Sequence, residues 1–332
     1  MAYDNERRIA VDAVLHASRL CQAVQAQLVA GSTLVKGDKS PVTVADFGAQ
    51  AVVSHALAEA FPSDPLVGEE DAAALREEGN EELRSKVLAG VAAALPDLSE
   101  EQVLDAIDRG TYEGGASGRH WTLDPIDGTK GFLRLDQYAV ALALIEDGEV
   151  VLGVLGCPNL PHDADNPDAG RGCLFVAVRG EGAFARTLDD ATERRITVTQ
   201  VADPAAARFC ESVEKAHSSQ SDAARIADLL GITEPPFRID SQCKYAAVAR
   251  GDASIYLRLP TRKDYVEKIW DHAGGFMVIH EAGGRVTDVR GDPLDFSRGR
   301  RLEDNKGVIV TNGHLHERVL TAVGNVLDLA NL

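Results

Sequence analysis

Three short segments of the sequence place carboxylates at the ends of apolar stretches, which is where functional groups usually sit. They are VGEED at 67–71, WTLDPIDGTKGF at 121–132 and IWDHAG at 269–274. In the second segment Asp124 and Asp127 flank Pro125, which forbids a helix through them and fixes a local bend. Such a bend can point both carboxylates and the Ile126 carbonyl toward one centre. Oxygen donors at this density suit Mg²⁺.

Taken singly, each of these acids is better explained as a helix cap or a turn residue. Asp271, for example, is expected at the N-cap or in the first turn of its helix, where the helix dipole favours the ionised form. Several acids at apolar strand ends are a different matter, because grouping them costs free energy unless a cation neutralises them. Together they indicate a metal ion.

The pair Gly128-Thr129 suits a different task. A glycine-containing turn exposes backbone N–H groups that can bind an anion. The Thr129 hydroxyl can orient or deprotonate a water if a carboxylate accepts its proton. Asp46, at the predicted start of the second helix, is a candidate acceptor. The sequence alone does not show that the two side chains meet.

The overall charge excludes several classes of partner. The chain has 34 Lys and Arg against 52 Asp and Glu, a formal net charge of −18. Such a protein repels nucleic-acid backbones and anionic lipid, so we expect neither polymeric nucleic acid nor a membrane as a partner. A small anionic ligand would need local help from cations, helix N-termini or metal ions.

Length and composition indicate a globular protein of one large or two medium domains. The chain has 332 residues, of which 45% are hydrophobic and 26% charged. Its longest apolar runs, near 139–145 and 150–157, are too short to span a bilayer. The N-terminus shows no secretory or transit pattern, and the five cysteines are scattered without a CxxC, so we expect reduced thiols and a cytoplasmic protein.

The coarse pattern predicts an α+β half followed by an α/β half, with domains at 1–188 and 189–332. Helical spacing is clear over 6–30 and 43–61, and Ser99 with Gln102 fits a capping box. Asp147-Gly148 predicts a hairpin turn. The segment 180–185, GEGAFA, matches a dinucleotide fingerprint, but an extended pattern follows it, so a hairpin turn is the better prediction.

Several of these segments together resemble a known family, the lithium-sensitive, magnesium-dependent phosphatases of the inositol monophosphatase superfamily. GEE, DPIDGT and WDHAG are typical of the superfamily. The sequence is more narrowly similar to the 3′(2′),5′-bisphosphate nucleotidase branch. That likeness rests on KGDKSPVTVAD at 36–46, TKGF at 129–132, VEKAHSS at 213–219, IDSQCKY at 239–245 and IYLRLP at 255–260. The resemblance runs from about residue 8 to 327, and the motifs occur in the family's order.

The resemblance implies a layered αβαβα sandwich of the inositol monophosphatase and fructose-1,6-bisphosphatase type. It also implies a metal site of two or three Mg²⁺ ions, with Asp124 bridging two of them, and a catalytic dyad that activates the attacking water. The implied metal ligands are Glu69, Asp124, the Ile126 carbonyl, Asp127 and Asp271, and the implied dyad is Asp46 with Thr129.

The second half of the chain is expected to hold the rest of the substrate. Ser241 follows a predicted strand, and Lys244 stands three residues on, so both can face one side at a helix N-terminus. By resemblance, the 5′-phosphate and nucleoside contact His217, Ser241, Lys244 and Arg258, while Gly128 and Thr129 hold the scissile phosphate. A strand-end histidine, a capping serine and surface cations are the alternative interpretations.

The resemblance therefore implies a magnesium-dependent hydrolase that removes the 3′-phosphate of adenosine 3′,5′-bisphosphate, with 3′-phosphoadenylyl sulfate as a further substrate. Such an enzyme belongs to sulfur metabolism and is inhibited by lithium. An inositol polyphosphate 1-phosphatase, or an enzyme that accepts both substrates, is an alternative with the same chemistry. A non-catalytic nucleotide sensor on the same fold is the alternative from another class, and the intact Asp46 and Thr129 argue against it.

Overall fold

A seven-stranded sheet forms the first half of the molecule, seen in a computed structural model that describes residues 3–30, 40–213, 219–262 and 264–327. Its strands pair in chain order, β1 parallel to β2 and every later neighbour antiparallel. They are β1 (Leu66–Gly68), β2 (Arg119–Asp127), β3 (Ala139–Glu146), β4 (Glu149–Pro161), β5 (Arg171–Val178), β6 (Gly182–Thr187) and β7 (Arg194–Ile196).

A five-stranded mixed sheet forms the second half. Its strands are β8 (Phe209–Glu211), β9 (Phe237–Arg238), β10 (Ile255–Arg258), β11 (Arg285–Thr287) and β12 (Val308–Thr311). The spatial order is β11-β12-β10-β8-β9, with β8 parallel to both of its neighbours and β12 antiparallel to both of its own.

Helices cover both faces of both sheets. The longer ones are α1 (Asp4–Ala30), α2 (Ser40–Ala60), α4 (Glu81–Ala92), α5 (Glu100–Asp108), α7 (Gln220–Leu230), α8 (Cys243–Arg250), α9 (Ala273–Glu281) and α10 (His316–Val326). The short ones are α3 (Ala73–Arg76) and α6 (Thr129–Leu133). None of the helices in the described part of the chain is both long and apolar enough to cross a bilayer.

The elements stack in five layers. Helices α1 and α2 pack on one face of the seven-stranded sheet, and α8 and α9 lie between the two sheets. Helices α7 and α10 cover the far side of the five-stranded sheet. Along β10, Ile255 and Leu257 join the core under α7 and α10, while Tyr256 faces α8 and α9. This is the αβαβα sandwich that the family resemblance implies.

Burial on both faces explains why β3 and β4 are almost continuously apolar. Every residue of β3 from Ala139 to Ile145 is buried. A strand covered by helices on one side only would alternate apolar and polar residues. The absence of alternation in this part of the sequence therefore reflects the position of the strand at the centre of the sandwich.

Three local predictions are confirmed by the structure. Ser99 caps α5 in a capping box with Gln102. A two-residue turn at Asp147 and Gly148 joins β3 to β4. The 180–185 segment is a hairpin between β5 and β6, and its Gly180 and Gly182 amides donate to the Glu281 carboxylate at 2.8 and 2.7 Å. The turn that resembles a phosphate loop therefore binds an internal carboxylate.

Some element boundaries differ from the predictions. Strand β7 lies beyond the expected domain boundary at 188/189, so the first sheet extends past it, and the division into two domains stays a prediction. Asp271 does not cap or open α9, because His272 occupies the N-cap position and the helix begins at Ala273. Asp271 lies in the turn before α9, so the residue pattern of the helix does not predict the direction of its side chain.

A buried histidine gives the fold an acid-sensitive element. His316 lies at the start of α10, with Nε2 3.0 Å from the Thr287 hydroxyl and Nδ1 3.0 Å from the Thr311 hydroxyl. The Thr287 hydroxyl donates to the Asp288 carbonyl, so it accepts from His316, and a neutral imidazole satisfies both contacts. Burial, followed by the Arg285 charge, lowers the pKa of His316 to about 4.

We expect the stability that His316 contributes to be lost under acid. Its pKa is about 6.5 when unfolded and lower when folded, so the contribution is complete above pH 6.5 and falls as the pH drops toward 4. Urea unfolding at several pH values measures this contribution. Over this pH range the free energy of unfolding of the wild type should fall toward that of a His316→Gln variant. His314→Gln, at an exposed histidine, is the control. A difference in the free energy of unfolding between wild type and His316→Gln that stays constant with pH would contradict this role of His316.

Candidate active site

The bend around Pro125 brings two acids to one side of β2. In a regular strand, residues three apart face opposite sides of the sheet. Between Asp124 and Asp127 the pairing of β2 with β3 shifts register, and this irregularity breaks the alternation. Both acids and Ile126 then line the same cavity, which has a volume of about 430 Å³. The bend that the sequence predicts is present.

The other two predicted metal ligands reach this cavity from separate elements. Glu69 follows β1, and its backbone N–H donates to the Leu123 carbonyl of β2 at 3.2 Å, which sets it beside Asp124. The carboxyl groups of Glu69 and Asp124 lie close enough for each to shift the pKa of the other. Asp271 lines the cavity from the turn before α9. The four acids from three distant segments therefore meet around one cavity.

Burial and mutual repulsion raise the pKa values of Glu69, Asp124 and Asp127. Enclosure by the protein and the Asp271 charge raise the pKa of Glu69 to about 8. Burial and the charge of Glu69 raise the pKa of Asp124 well above its usual range. Burial and Asp271 raise the pKa of Asp127 to about 6, against the opposing charge of Lys244. A divalent cation would relieve this repulsion and keep the carboxylates ionised.

The predicted Asp46–Thr129 pair is only partly assembled. Asp46 is buried on α2, and burial with the charges of Glu69 and Glu70 raises its pKa well above the usual range. Thr129 opens α6 and lines the cavity. Within the described residues no hydrogen bond joins the two side chains, and Asp46 Oδ1 has no partner there. Their action as a dyad stays a prediction.

A glycine at 128 lets the two halves of the site meet. Gly128 has a φ of 91°, and a Cβ at this position would lie 2.9 Å from the Cβ of Ser241. Ser241 also lines the cavity and has a positive φ of 66°. The next residue, Gln242, donates its backbone N–H to Asp127 Oδ2 at 2.6 Å. The start of α8 is therefore attached directly to a predicted metal ligand.

In the part of the chain that the structure describes, three cationic side chains line the cavity from the second half, and two of them, Lys244 and Arg258, were predicted to bind the substrate. Lys244 is buried on α8, with Nζ 5.1 Å from the centre of the Tyr256 ring. Burial lowers its pKa, and the nearby Asp127 opposes that shift. Arg258 ends β10, with its Nη2 atom 2.8 Å from Glu267 and 3.2 Å from Asp271. Arg258 therefore reaches the cavity as predicted, but it is already paired with two carboxylates.

The sequence analysis missed a buried hydrogen-bonded chain behind Arg258. The Tyr245 hydroxyl lies 2.7 Å from His272 Nδ1, and His272 Nε2 lies 3.2 Å from Glu267. Burial acts to raise the pKa of Glu267, but Arg258 and His272 outweigh it and lower the pKa to about 2. An ionised Glu267 thus holds Arg258 against Asp271. The only signal in the sequence was the histidine of WDHA, which had no assigned partner.

His217, predicted to contact the substrate, lies outside the described residues. The other predicted metal- and substrate-binding residues line the one cavity: Glu69, Asp124, Ile126, Asp127, Gly128, Thr129, Ser241, Lys244, Arg258 and Asp271. Asp46 lies behind its acidic side, close enough to repel Asp124.

The donor set fits a hard divalent cation. Asp124 Oδ1 is buried and, among the residues described, has no hydrogen-bond partner, as expected of an atom that binds a metal. Glu267, Asp271 and His272 also offer ligand atoms within 4.8 Å of one another. Arg258 already occupies two members of that group, however. Among the described residues, no three of the four predicted acids offer ligand atoms within 4.8 Å of one another, although all four line the cavity.

A layered αβαβα fold with acids and cations around one cavity defines a class of metal-dependent enzymes, and comparison with known proteins gives the family. The model of the inositol monophosphatase family matches residues 3–328. The chain belongs to this family, which is metal-dependent.

Relatives that match over their full length carry a more specific name. The 3′(2′),5′-bisphosphate nucleotidase of Emericella nidulans is 48% identical, with 99% of this chain and 100% of that protein aligned. The protein of the same name from Schizosaccharomyces pombe is 47% identical, with 98% and 97% aligned. Among solved structures, an inositol monophosphatase from Anabaena has a TM-score of 0.63 at 20% identity over all of both chains, and this supports the fold.

We expect removal of the Glu267 charge to destabilise the protein. Glu267→Gln removes a buried carboxylate and leaves the partly buried Arg258 with Asp271 as its remaining carboxylate partner, and breaking a largely buried ion pair costs about 3 kcal/mol. Glu317→Gln is the matched control, because Glu317 pairs with Arg285 at the surface, where such pairs contribute about 0–1 kcal/mol. Urea unfolding measures both. Equal losses in the two variants would contradict the role given to Glu267.

Proposed function

We propose that this protein is a Mg²⁺-dependent phosphomonoesterase that hydrolyses the 3′-phosphate of adenosine 3′,5′-bisphosphate to AMP and phosphate. The observation that carries the proposal is one cavity lined by Glu69, Asp124, Asp127 and Asp271 and also by Lys244 and by Arg258, which is paired with Asp271. A substrate with two phosphates fits this lining, because one phosphate can bind metal ions held by the acids and the other can bind the Lys244 ammonium. The name shared by the full-length relatives supports the same substrate.

In this proposal the metal ligands are those predicted from the sequence. Glu69, Asp124, Asp127, Asp271 and the Ile126 carbonyl would hold two or three Mg²⁺ ions. When bound, the metal lowers the pKa of a water molecule and neutralises charge on the phosphoryl oxygens. Phosphate monoesters hydrolyse very slowly without help, so this stabilisation accounts for much of the rate.

The other residues bind the ester and move protons. Backbone N–H groups of Gly128 and Thr129 hold the scissile phosphate. Thr129 Oγ1 orients the attacking water and takes one of its protons, while the Asp46 carboxylate accepts the proton of the Thr129 hydroxyl. The water oxygen bonds to phosphorus, the bond from phosphorus to the 3′-oxygen breaks, and the 3′-oxygen takes a proton from a solvent water. Asp46 then returns its proton to solvent. Ser241 and Lys244 hold the 5′-phosphate.

The same site would act on a second nucleotide substrate and would have a role in sulfur metabolism. The same pocket would accept 3′-phosphoadenylyl sulfate, whose 5′ group is also anionic. Hydrolysis of the bisphosphate would clear a by-product of sulfotransfer in the cytoplasm, and lithium would inhibit it as in the family. Such substrates are small molecules, and no polymeric nucleic acid or membrane is required.

We expect Asp124→Asn to abolish phosphate release while the fold is retained. The amide cannot supply the negative charge that holds two cations, so turnover should fall by about a thousandfold or more. The assay uses adenosine 3′,5′-bisphosphate, 3′-phosphoadenylyl sulfate and inositol 1,4-bisphosphate, with and without Mg²⁺. Asp97→Asn, on the surface, is the control. Near-normal turnover by Asp124→Asn would contradict the mechanism, and a preference of the wild type for the inositol substrate would contradict the proposed substrate.

We expect Lys244→Met to remove the preference for a 5′-phosphate. The kcat/KM for adenosine 3′,5′-bisphosphate should fall about 10- to 100-fold, the loss of one charge-assisted hydrogen bond, while that for 3′-AMP changes little. Lys86→Met, at an exposed lysine paired with Glu82, is the control. An equal loss on both substrates would show that Lys244 does not bind the 5′-phosphate.

A further inference from the structure

Arg300 links the two chain segments that carry Glu69 and Asp271, although no motif of the sequence analysis includes it. Its Nη2 atom donates to the Gly68 carbonyl at 2.6 Å, one residue before Glu69. Its guanidinium carbon lies 4.9 Å from the centre of the Trp270 ring, one residue before Asp271. A single side chain therefore contacts the residue adjacent to each of two proposed metal ligands.

The first of these contacts belongs to a wider set of carbonyl acceptors. Arg300 Nη1 donates to the Gly110 carbonyl at 3.0 Å and to the Tyr112 carbonyl at 2.9 Å. The Gly110 carbonyl also accepts the Gly68 backbone N–H at 2.8 Å. The guanidinium thus holds the end of β1 together with the segment from Gly110 to Tyr112, which lies beside it.

Backbone contacts fix the same arginine to the segment that carries Asp271. The Ile269 N–H donates to the Arg300 carbonyl at 3.2 Å, and Lys268 and Arg301 form an isolated antiparallel bridge. The Leu302 N–H donates to the Glu267 carbonyl at 2.9 Å. The Arg300 backbone is therefore bonded to the segment that leads into Asp271, while the Arg300 side chain is bonded to the Gly68 carbonyl beside Glu69.

An arginine suits this position for a geometric reason. Its planar fork can donate to several carbonyls at once while its flat face stacks on an aromatic ring. A lysine has one ammonium group at the end of a flexible stem and cannot maintain this combination of contacts. The separation between the two turns is thus set by a rigid planar group.

We propose that Arg300 is a positioning residue that sets the distance between the Glu69 and Asp271 carboxylates and thereby the affinity of the site for Mg²⁺. This inference rests on the proposed function for the identity of the metal. Arg300 touches no substrate in this account. Its effect acts on the metal site through the backbone at Gly68 and the ring of Trp270.

Calorimetric titration of the full chain with Mg²⁺ alone, without nucleotide, tests the proposal. We expect Arg300→Lys and Arg300→Met each to weaken Mg²⁺ binding about tenfold or more, the usual loss when a group that orients metal ligands is removed. At saturating Mg²⁺ the kcat and the nucleotide KM should return to near the wild-type values, because the catalytic groups are intact. Arg300→Lys carries the test if Arg300→Met does not fold.

Arg298→Lys is the matched control. Arg298 is two residues away, is 55% exposed and pairs with Asp295 and Asp304 rather than with either ligand segment. It should keep wild-type affinity for Mg²⁺. A merely structural role for Arg300 would lower the melting temperature without changing Mg²⁺ affinity, and that result would overturn the proposal.

A double variant tests whether Arg300 and Trp270 act through one link. If they do, Trp270→Leu alone should also weaken Mg²⁺ binding, and adding Arg300→Lys should weaken it by less than the product of the two single losses. If the double variant loses Mg²⁺ affinity by the full product of the two single losses, Arg300 and Trp270 act independently, and the proposed link between them is overturned. If the wild type binds Mg²⁺ but hydrolyses no phosphate ester, the proposed function fails while the calorimetry still decides the role of Arg300.

Discussion

The structure depends on holding mutually repelling carboxylates in one place. Glu69, Asp124, Asp127 and Asp271 come from segments up to two hundred residues apart, and burial together with their mutual charges raises the pKa values of the first three. Left to itself, such a group would separate or take up protons. The protein can keep it assembled only by anchoring the backbone around each acid and by supplying positive charge nearby.

The αβαβα sandwich provides these anchors from both halves of the chain. On the first sheet, the irregularity at Pro125 turns Asp124 and Asp127 to one side, and the pairing of β1 with β2 sets Glu69 beside them. On the second, a buried chain from Tyr245 through His272 and Glu267 holds Arg258 against Asp271. The start of α8 joins the halves by donating to Asp127. The acids and the cations that line the cavity are therefore parts of one connected structure.

Features fixed by neighbours in the chain could be predicted from the sequence, whereas those fixed by distant contacts could not. The bend at Pro125 and the capping box of Ser99 and Gln102 depend on a few consecutive residues. The resemblance to a family supplied the sandwich and the convergence of the acids, which residue spacing alone does not determine. The pairing of Arg258 with Glu267 and the contact of Arg300 with Gly68, 232 residues away, leave no periodic or local signal. Asp271 was expected at the N-cap or in the first turn of its helix, but His272 is the N-cap of α9, so Asp271 lies just outside the helix.

Anomalous diffraction from crystals prepared with Mn²⁺ in place of Mg²⁺ tests the central claim most directly, since the metal positions can then be seen without reference to activity. The account predicts manganese peaks among the carboxylates of Glu69, Asp124, Asp127 and Asp271, at about 2.0–2.2 Å from their oxygens. Manganese found only among Glu267, Asp271 and His272, with Arg258 displaced, would contradict it. So would crystals that hold no ion beside Asp124 at saturating Mn²⁺.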